Sequence, residues 1–219
     1  MKLPTAKKSC AALTLIEVIA LLAIIAAVLM VIQYRTGRQQ HGVYIHYCLS
    51  NQKQLGFGIE MFATDNGNQY PMQTSVTNGG TLELIPNGNA AEQFGPMTNY
   101  IKSTGVYLCP SEFPEQTSSG TYPSPTLANT NLSYLLNVDA KYRTLAPLTG
   151  DRNLAVDGVA PKSGLFPLTN IPAMFWGAKM HSHRGIIGFN DGHSEVVTKP
   201  RLPVVFAGAA ATTNRLVVP

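Results

Sequence analysis

Residues Leu13 to Ile32 read LTLIEVIALLAIIAAVLMVI, twenty apolar or small residues broken by one carboxylate, Glu17. A run of this length crosses the hydrocarbon core of a bilayer when it is helical. The acid constrains the reading more than the run does. A charged acid costs about 2.5–3.5 kcal/mol at the bilayer centre and less near a helix end. A chain that needed only an anchor would carry Leu or Ala there. Upstream, MKLPTAKKSCAA holds Lys2, Lys7 and Lys8 and no acid. Lysines before the span predict a cytoplasmic N-terminus, with the remainder of the chain outside. Two plainer readings compete. An ordinary secretory signal has an apolar region of about 7–15 residues ending at a small-residue cleavage site. This run is longer, and Glu17 would be misplaced in such a signal. An uncleaved anchor fits the length but gives the acid no purpose.

A basic leader, a small residue, then an apolar helix with Glu at its fifth position resembles the type IV prepilin-type signal. The resemblance is to pilins and to the pseudopilins of type II secretion. It implies cutting between Ala12 and Leu13 by a prepilin peptidase/N-methyltransferase, with Leu13 becoming a methylated N-terminus. It also implies that Glu17 pairs with the freed amine of a neighbouring subunit in a filament core. A paired buried charge is tolerated where an unpaired one is costly, so such a pair sets register more than it adds stability. The family usually has Gly before the cut and Phe after it. Here Ala12 and Leu13 replace them, and the Leu15-Ile16-Glu17 core is kept. The division that follows is a leader over 1–12, a transmembrane or filament-core helix over 13–32, an amphipathic continuation over 33–64 and an extracytoplasmic head over 65–219.

The formal charge of +4 invites a nucleic-acid reading, but three of the lysines lie in the leader. Without them 13 basic residues face 12 acidic ones. Beyond the leader the basic residues are dispersed, apart from Arg35 and Arg38 just past the span, where headgroups lie. Nucleic acid is therefore not an expected partner. Charged residues make up 13% of the chain, and 19 Gly with 15 Pro point to a loop-rich head. Cys10 would leave with the leader. Cys48 and Cys109 remain on the side where disulfides persist, either bridging the helix to the head or buried as two separate thiols.

The absence of Pro between Pro4 and Pro71 allows one helix from Leu13 to Thr64, roughly 78 Å at about 1.5 Å per residue. Its second half is amphipathic, with Tyr44, Cys48, Leu55, Ile59 and Phe62 on one stripe and Gln52, Lys53 and Glu60 read as off it. Gly37 and Gly42 are points where it could bend. Asp65-Asn66-Gly67-Asn68 forms a stop, with Pro71 beyond it. Residues 66–100 read as turns and loops. Short strands are expected at 105–108 and 132–136, and Val204 to Phe206 could form an edge strand beside Pro203. Trp176 and Phe175 are expected to pack in the core of the head.

Gly185-Ile186-Ile187-Gly188-Phe189, then Asn190-Asp191-Gly192-His193, then Ser194-Glu195-Val196-Val197 reads as a hairpin. A two-residue type I′ turn at Asp191-Gly192 would need positive φ at both residues. It would set Phe189 opposite Ser194 and Ile187 opposite Val196, with Phe189, Ile187 and Val196 sharing one face. Nine residues separate His181 from Asp191-Gly192. This H-x9-D-G pattern resembles the signature of a prepilin-type processing-associated subfamily. The segment Cys48–Pro71, with its Asn51-Gln52-Lys53-Gln54-Leu55 core, resembles the helix exit of the same group. So do Cys109-Pro110-Ser111-Glu112 and Ser133-Tyr134.

The histidines admit sharper readings. His181, His183 and His193 with Asp191 could ligate zinc, since imidazole and carboxylate suit it. Against that, His181 could be a hydrogen-bonded pin before the hairpin, and Asp191 only a turn residue. A Ser/His/Asp hydrolase is disfavoured by the lack of a G-x-S-x-G elbow. Asp65, Asp139, Asp151 and Asp157 are scattered singly, so no calcium site is expected.

The resemblance as a whole implies an α+β, pilin-like fold, a long N-terminal helix packed on a small antiparallel sheet. It implies a structural filament subunit with no catalysis, no cofactor and no metal. The implied partners are the membrane, like or related pilin subunits, the peptidase, and an assembly platform with its ATPase. The rival is a membrane-tethered extracytoplasmic enzyme or metal-binding domain built on the histidines.

Overall fold

A computed structural model describes residues 14–112, 127–142, 144–168, 174–207 and 214–219. The chain divides into two units, Met1–Gln40 and His41–Pro219. Helix α1, Leu15–Asp65, begins in the first unit and ends in the second. In the first unit, Leu15–Tyr34 is long and apolar enough to cross a membrane, and all of it is exposed. An anchor and a signal sequence both have that character.

The second unit is mixed helix and sheet. Within it α1 stops at Asp65–Asn68. Gly67 and Asn68 take φ of 66° each, and the Asn68 N–H donates back to the Ala63 carbonyl at 2.8 Å. A left-handed residue just past a helix satisfies its orphaned carbonyls in this way. Short helical turns follow at Pro71–Gln73, Val76–Asn78 and Leu82–Asn87, then α2, Ala90–Phe94, then Gly95–Asn99. This stretch packs tightly. Tyr70, Met72, Phe94 and Met97 are all at most 1% exposed.

Six strands form an antiparallel sheet: β1 Tyr134–Asn137, β2 Pro147–Asp151, β4 Gly164–Leu168, β6 Arg184–Phe189, β7 Ser194–Thr198 and β8 Asn214–Val218. Their order is β4-β8-β1-β2-β6-β7. β3, Leu154–Val156, and β5, Met174–Trp176, pair as a separate ribbon. A last helix, α3, spans Leu202–Ala207.

Side chains alternate across a sheet, and here both faces are covered. Tyr134, Leu136, Ile186 and Val217 face a core shared with Cys48, Leu55, Ile59 and Phe94. Leu135, Ile187, Phe189, Val197 and Leu216 face a second core closed by Trp176, Leu202 and Phe206. The sheet is thus a middle layer. The packed half of α1 and the helical turns lie on one side, and the ribbon with α3 on the other.

Several local expectations are corrected. Residues 104–107 form a 3₁₀ turn rather than a strand, closed by the Leu108 N–H on the Gly105 carbonyl. Val204–Phe206 lies in α3, with Pro203 in its first turn, where no N–H is needed. The hairpin is offset by one residue. Gly188 faces Ser194, Ile187 faces Glu195 and Ile186 faces Val196. Gly192 takes φ 87°, but Asp191 stays at negative φ, so a type I′ turn does not form. The loop is instead the three residues Asn190–Gly192. The Gly192 N–H bonds the Phe189 carbonyl at 3.1 Å, and the Phe189 N–H bonds the His193 carbonyl at 2.9 Å. That is a type I turn followed by a left-handed glycine. A one-residue slip reverses every facing, so Val196 shares its face with Ile186, while Ile187 and Phe189 lie with Val197 on the other. Finally, Trp176 is 1% exposed, but Phe175 is only half-buried, with Lys199 Nζ 5.4 Å from its ring centroid.

Candidate functional site

Two places are candidates, and the first is the start of α1. Ala12 and Leu13 lie outside the described residues. Glu17 is exposed, and its Oε2 accepts from the Thr14 N–H at 2.8 Å and the Thr14 hydroxyl at 2.9 Å. Thr14 precedes the first helical residue, so Thr14-x-x-Glu17 forms the backward half of a capping box. The carboxylate therefore has a local role in a lone chain, which the sequence reading did not assign to it.

The second place is a buried node in the head. Cys48, on the packed face of α1, is joined by a disulfide to Cys109, with Cα atoms 5.4 Å apart. His181 is 3% exposed, with Nε2 3.3 Å from Cys109 Sγ and 3.5 Å from Asp151 Oδ2. Its Nδ1 lies 3.2 Å from Ser111 Oγ. The backbone after it is strained. Ser182 and His183 take φ of 51° and 62°, a left-handed conformation that costs about 1–2 kcal/mol per residue.

Asp151 has no exposure. It accepts from the Ile186 N–H at 2.8 Å and from Gln52 Nε2 at 3.4 Å. Burial pushes its carboxyl up to about 8, since desolvation disfavours the charged form more than these two bonds favour it. The nearby Glu112 charge pushes the same way.

Gln52 is the residue that the sequence reading misplaced. It is fully buried, donates to the Ile186 carbonyl at 3.3 Å and accepts from the Thr149 hydroxyl. Helical spacing puts it on the stripe, four residues after Cys48 and three before Leu55. Only its polarity argued otherwise. Gly188 makes room for it, since a Cβ there would strike Thr149 Oγ1.

The segments that carried the resemblance meet at this node. Asn51 Nδ2 donates to the Leu108 carbonyl at 2.8 Å, and the Tyr134 hydroxyl donates to the same oxygen at 3.2 Å. The Ser133 N–H donates to the Tyr107 carbonyl at 3.0 Å. Glu112 pairs with Arg152 through Nε at 2.6 Å.

The two ends of H-x9-D-G do different work. Asp191 is exposed and bonds only within the turn, accepting from the His193 N–H at 3.1 Å. Partial burial works to raise its carboxyl, but the bonds and charge of His193 outweigh that and hold it below its ordinary value. The His193 ring stacks on Phe189, with centroids 4.2 Å apart. The residue before the pair does the anchoring. Asn190 is fully buried; its Oδ1 accepts from the Ala146 N–H at 2.8 Å, and its Nδ2 donates to Thr144 Oγ1 at 3.0 Å. Its carbonyl accepts from the Tyr70 hydroxyl at 3.3 Å.

His183 is exposed, with Nδ1 3.3 Å from the Trp176 carbonyl. Among the described residues His181, His183 and His193 do not converge, and the one group with metal-ligand spacing is Cys48, Cys109 and His181. No family model, curated protein or solved structure matches this chain.

Proposed function

We propose that this chain is a structural subunit of a filament, a pilin or pseudopilin built into a type IV pilus-like fibre or a type II secretion pseudopilus. On this reading it waits in the cytoplasmic membrane with its head outside. A prepilin peptidase/N-methyltransferase trims it before Leu13, and an assembly platform with its ATPase stacks it against like subunits. The observation that carries the proposal is the first unit. Every residue from Leu15 to Tyr34 is exposed, with Leu15 at 78% and Met30 at 70%, and Glu17 is the one charged side chain among them. Apolar surface on that scale has to be covered by lipid or by other helices. A single acid on it gives a partner something to recognise. The head supports the reading by investing its buried polar groups in holding α1.

Glu17→Leu tests this directly, with Thr14→Ala as the control that removes only the hydroxyl bond to the carboxylate. The Glu17 variant should reach the membrane in normal amount, while filament yield falls by a hundredfold or more, as loss of a charge partner worth about 3–5 kcal/mol implies. The Thr14 variant should still assemble. Mass analysis of membrane-derived protein should find a chain starting at N-methyl-Leu13. A chain still starting at Met1, or a Glu17→Leu protein that assembles normally, would overturn the proposal.

A further inference from the structure

We propose that the same chain, with Cys48 and Cys109 as thiols, holds a zinc-class divalent cation through the two sulfurs and His181 Nε2. The inference concerns the head alone and does not depend on filament assembly.

The two sulfurs and the ring nitrogen lie within 4.8 Å of one another, and all three side chains are buried. In a tetrahedral site with Zn–S near 2.3 Å and Zn–N near 2.0–2.1 Å, adjacent S and N donors stand about 3.5 Å apart. Cys109 Sγ and His181 Nε2 are 3.3 Å apart. Asp151, 3.5 Å from Nε2, is not among the donors that lie within 4.8 Å of one another, so the fourth position falls to water. The imidazole therefore already sits at ligand spacing. What has to change is the sulfur pair, which must part to about 3.8 Å, the separation of two thiolates on one zinc.

A second observation points the same way. Ser111 Oγ engages Nδ1 at 3.2 Å, which fixes the ring and turns Nε2 towards the sulfurs. Metal-bound histidines are characteristically held through the other nitrogen in this manner. The set is soft and borderline, two thiolates with an imidazole, which suits zinc over magnesium or calcium.

Newly made chain carries both cysteines as thiols, so filling the site needs no reductant. One cation displaces two thiol protons, which pass to water. Leaving the state needs an oxidant of the disulfide class. The two thiolates lose two electrons as the Cys48–Cys109 bond forms, the oxidant's disulfide is reduced and takes up two protons, and the cation departs. Metal and disulfide are then alternative fastenings of α1 to the segment Leu108–Glu112, one for each redox state.

The test uses the full-length protein in detergent, reduced with a phosphine under denaturant and refolded anaerobically with Zn2+ or Co2+. The proposal expects one cation per chain in the refolded protein and none in the disulfide form. The Co2+ derivative should show thiolate charge-transfer absorption together with the intense visible bands of tetrahedral coordination. His181→Asn should lose binding at least a hundredfold, Ser111→Ala should weaken it about tenfold, and the C48S/C109S double variant should bind nothing. Wild-type protein alone keeps the proposal falsifiable if a variant fails to fold. Octahedral cobalt, sulfur-only coordination by X-ray absorption, or a cation that leaves the refolded head without its native far-UV spectrum would each overturn it. So would His181→Asn binding as tightly as wild type.

Discussion

Two stretches of one helix, Leu15–Tyr34 and Cys48–Phe62, obey opposite rules. In the first, apolar side chains ring the helix and all are exposed. In the second, Cys48, Gln52, Leu55 and Ile59 are fully buried, while Phe57 is 65% exposed. Position on the helix, and not polarity, decides burial in the second stretch. A glutamine goes inside and a phenylalanine outside because the sheet covers one face of a 3.6-residue repeat. The first stretch singles out no face among the described residues. Glu17 is the one charged side chain on it.

The comparison can be broken in either half. The largest effect on the head should come from its covalent fastening. Cys48→Ser opens a link between residues 61 apart in sequence, worth about 4 kcal/mol on the chain-entropy account. For a head of this size that is a fall on the order of 10 °C in melting temperature, read by calorimetry on oxidised protein. An unchanged melting point would mean that packing alone holds α1.

Gln52→Leu should cost about 2–3 kcal/mol, since Asp151, the Thr149 hydroxyl and the Ile186 carbonyl each lose a buried partner. Glu17→Leu should leave the head's denaturant midpoint where it was. If Gln52→Leu proved as harmless as Glu17→Leu, the contrast between the halves would fail.

Asp151 sharpens the contrast through pH. Its folded-state carboxyl titrates at about 8, above the ordinary 3.8, so the folded head keeps a proton that the unfolded chain releases. Stability should therefore fall as pH rises from about 4 to about 8 and level off above, by up to roughly 1 kcal/mol per unit. Asp151→Asn should flatten that decline in urea titrations at several pH values. The groups to watch beside it are Glu112, whose charge reinforces the upward push, and His181, 3.5 Å away.

The smallest effect is expected at Gly192→Ala. A Cβ there meets nothing within 4 Å, so only the left-handed φ of 87° is penalised, by about 1 kcal/mol.

How far the chain could be read in advance differed from place to place. The apolar helix and the position of the Asp-Gly turn are local properties, set by periodicity and turn chemistry over a few residues. The register of that turn was not legible. It follows from Asn190, whose amide is fastened to Lys141, Thr144 and Ala146, more than forty residues earlier. Beyond Phe206 the sequence pattern announces no element, yet Asn214–Val218 lies inside the sheet between β4 and β1. A five-residue strand carries too little pattern to announce itself when its partners are distant.

The sequence by itself determined that one segment of this chain is apolar on every side with a lone acid near its start, because composition over twenty consecutive residues needs no partner to be defined. Only the tertiary structure decided that the cysteines, Gln52, Asp151 and His181 form one buried node. Gln52 meets its carbonyl partner across 134 residues. Contacts of that range depend on how a sheet folds over a helix, and no local rule of spacing encodes it.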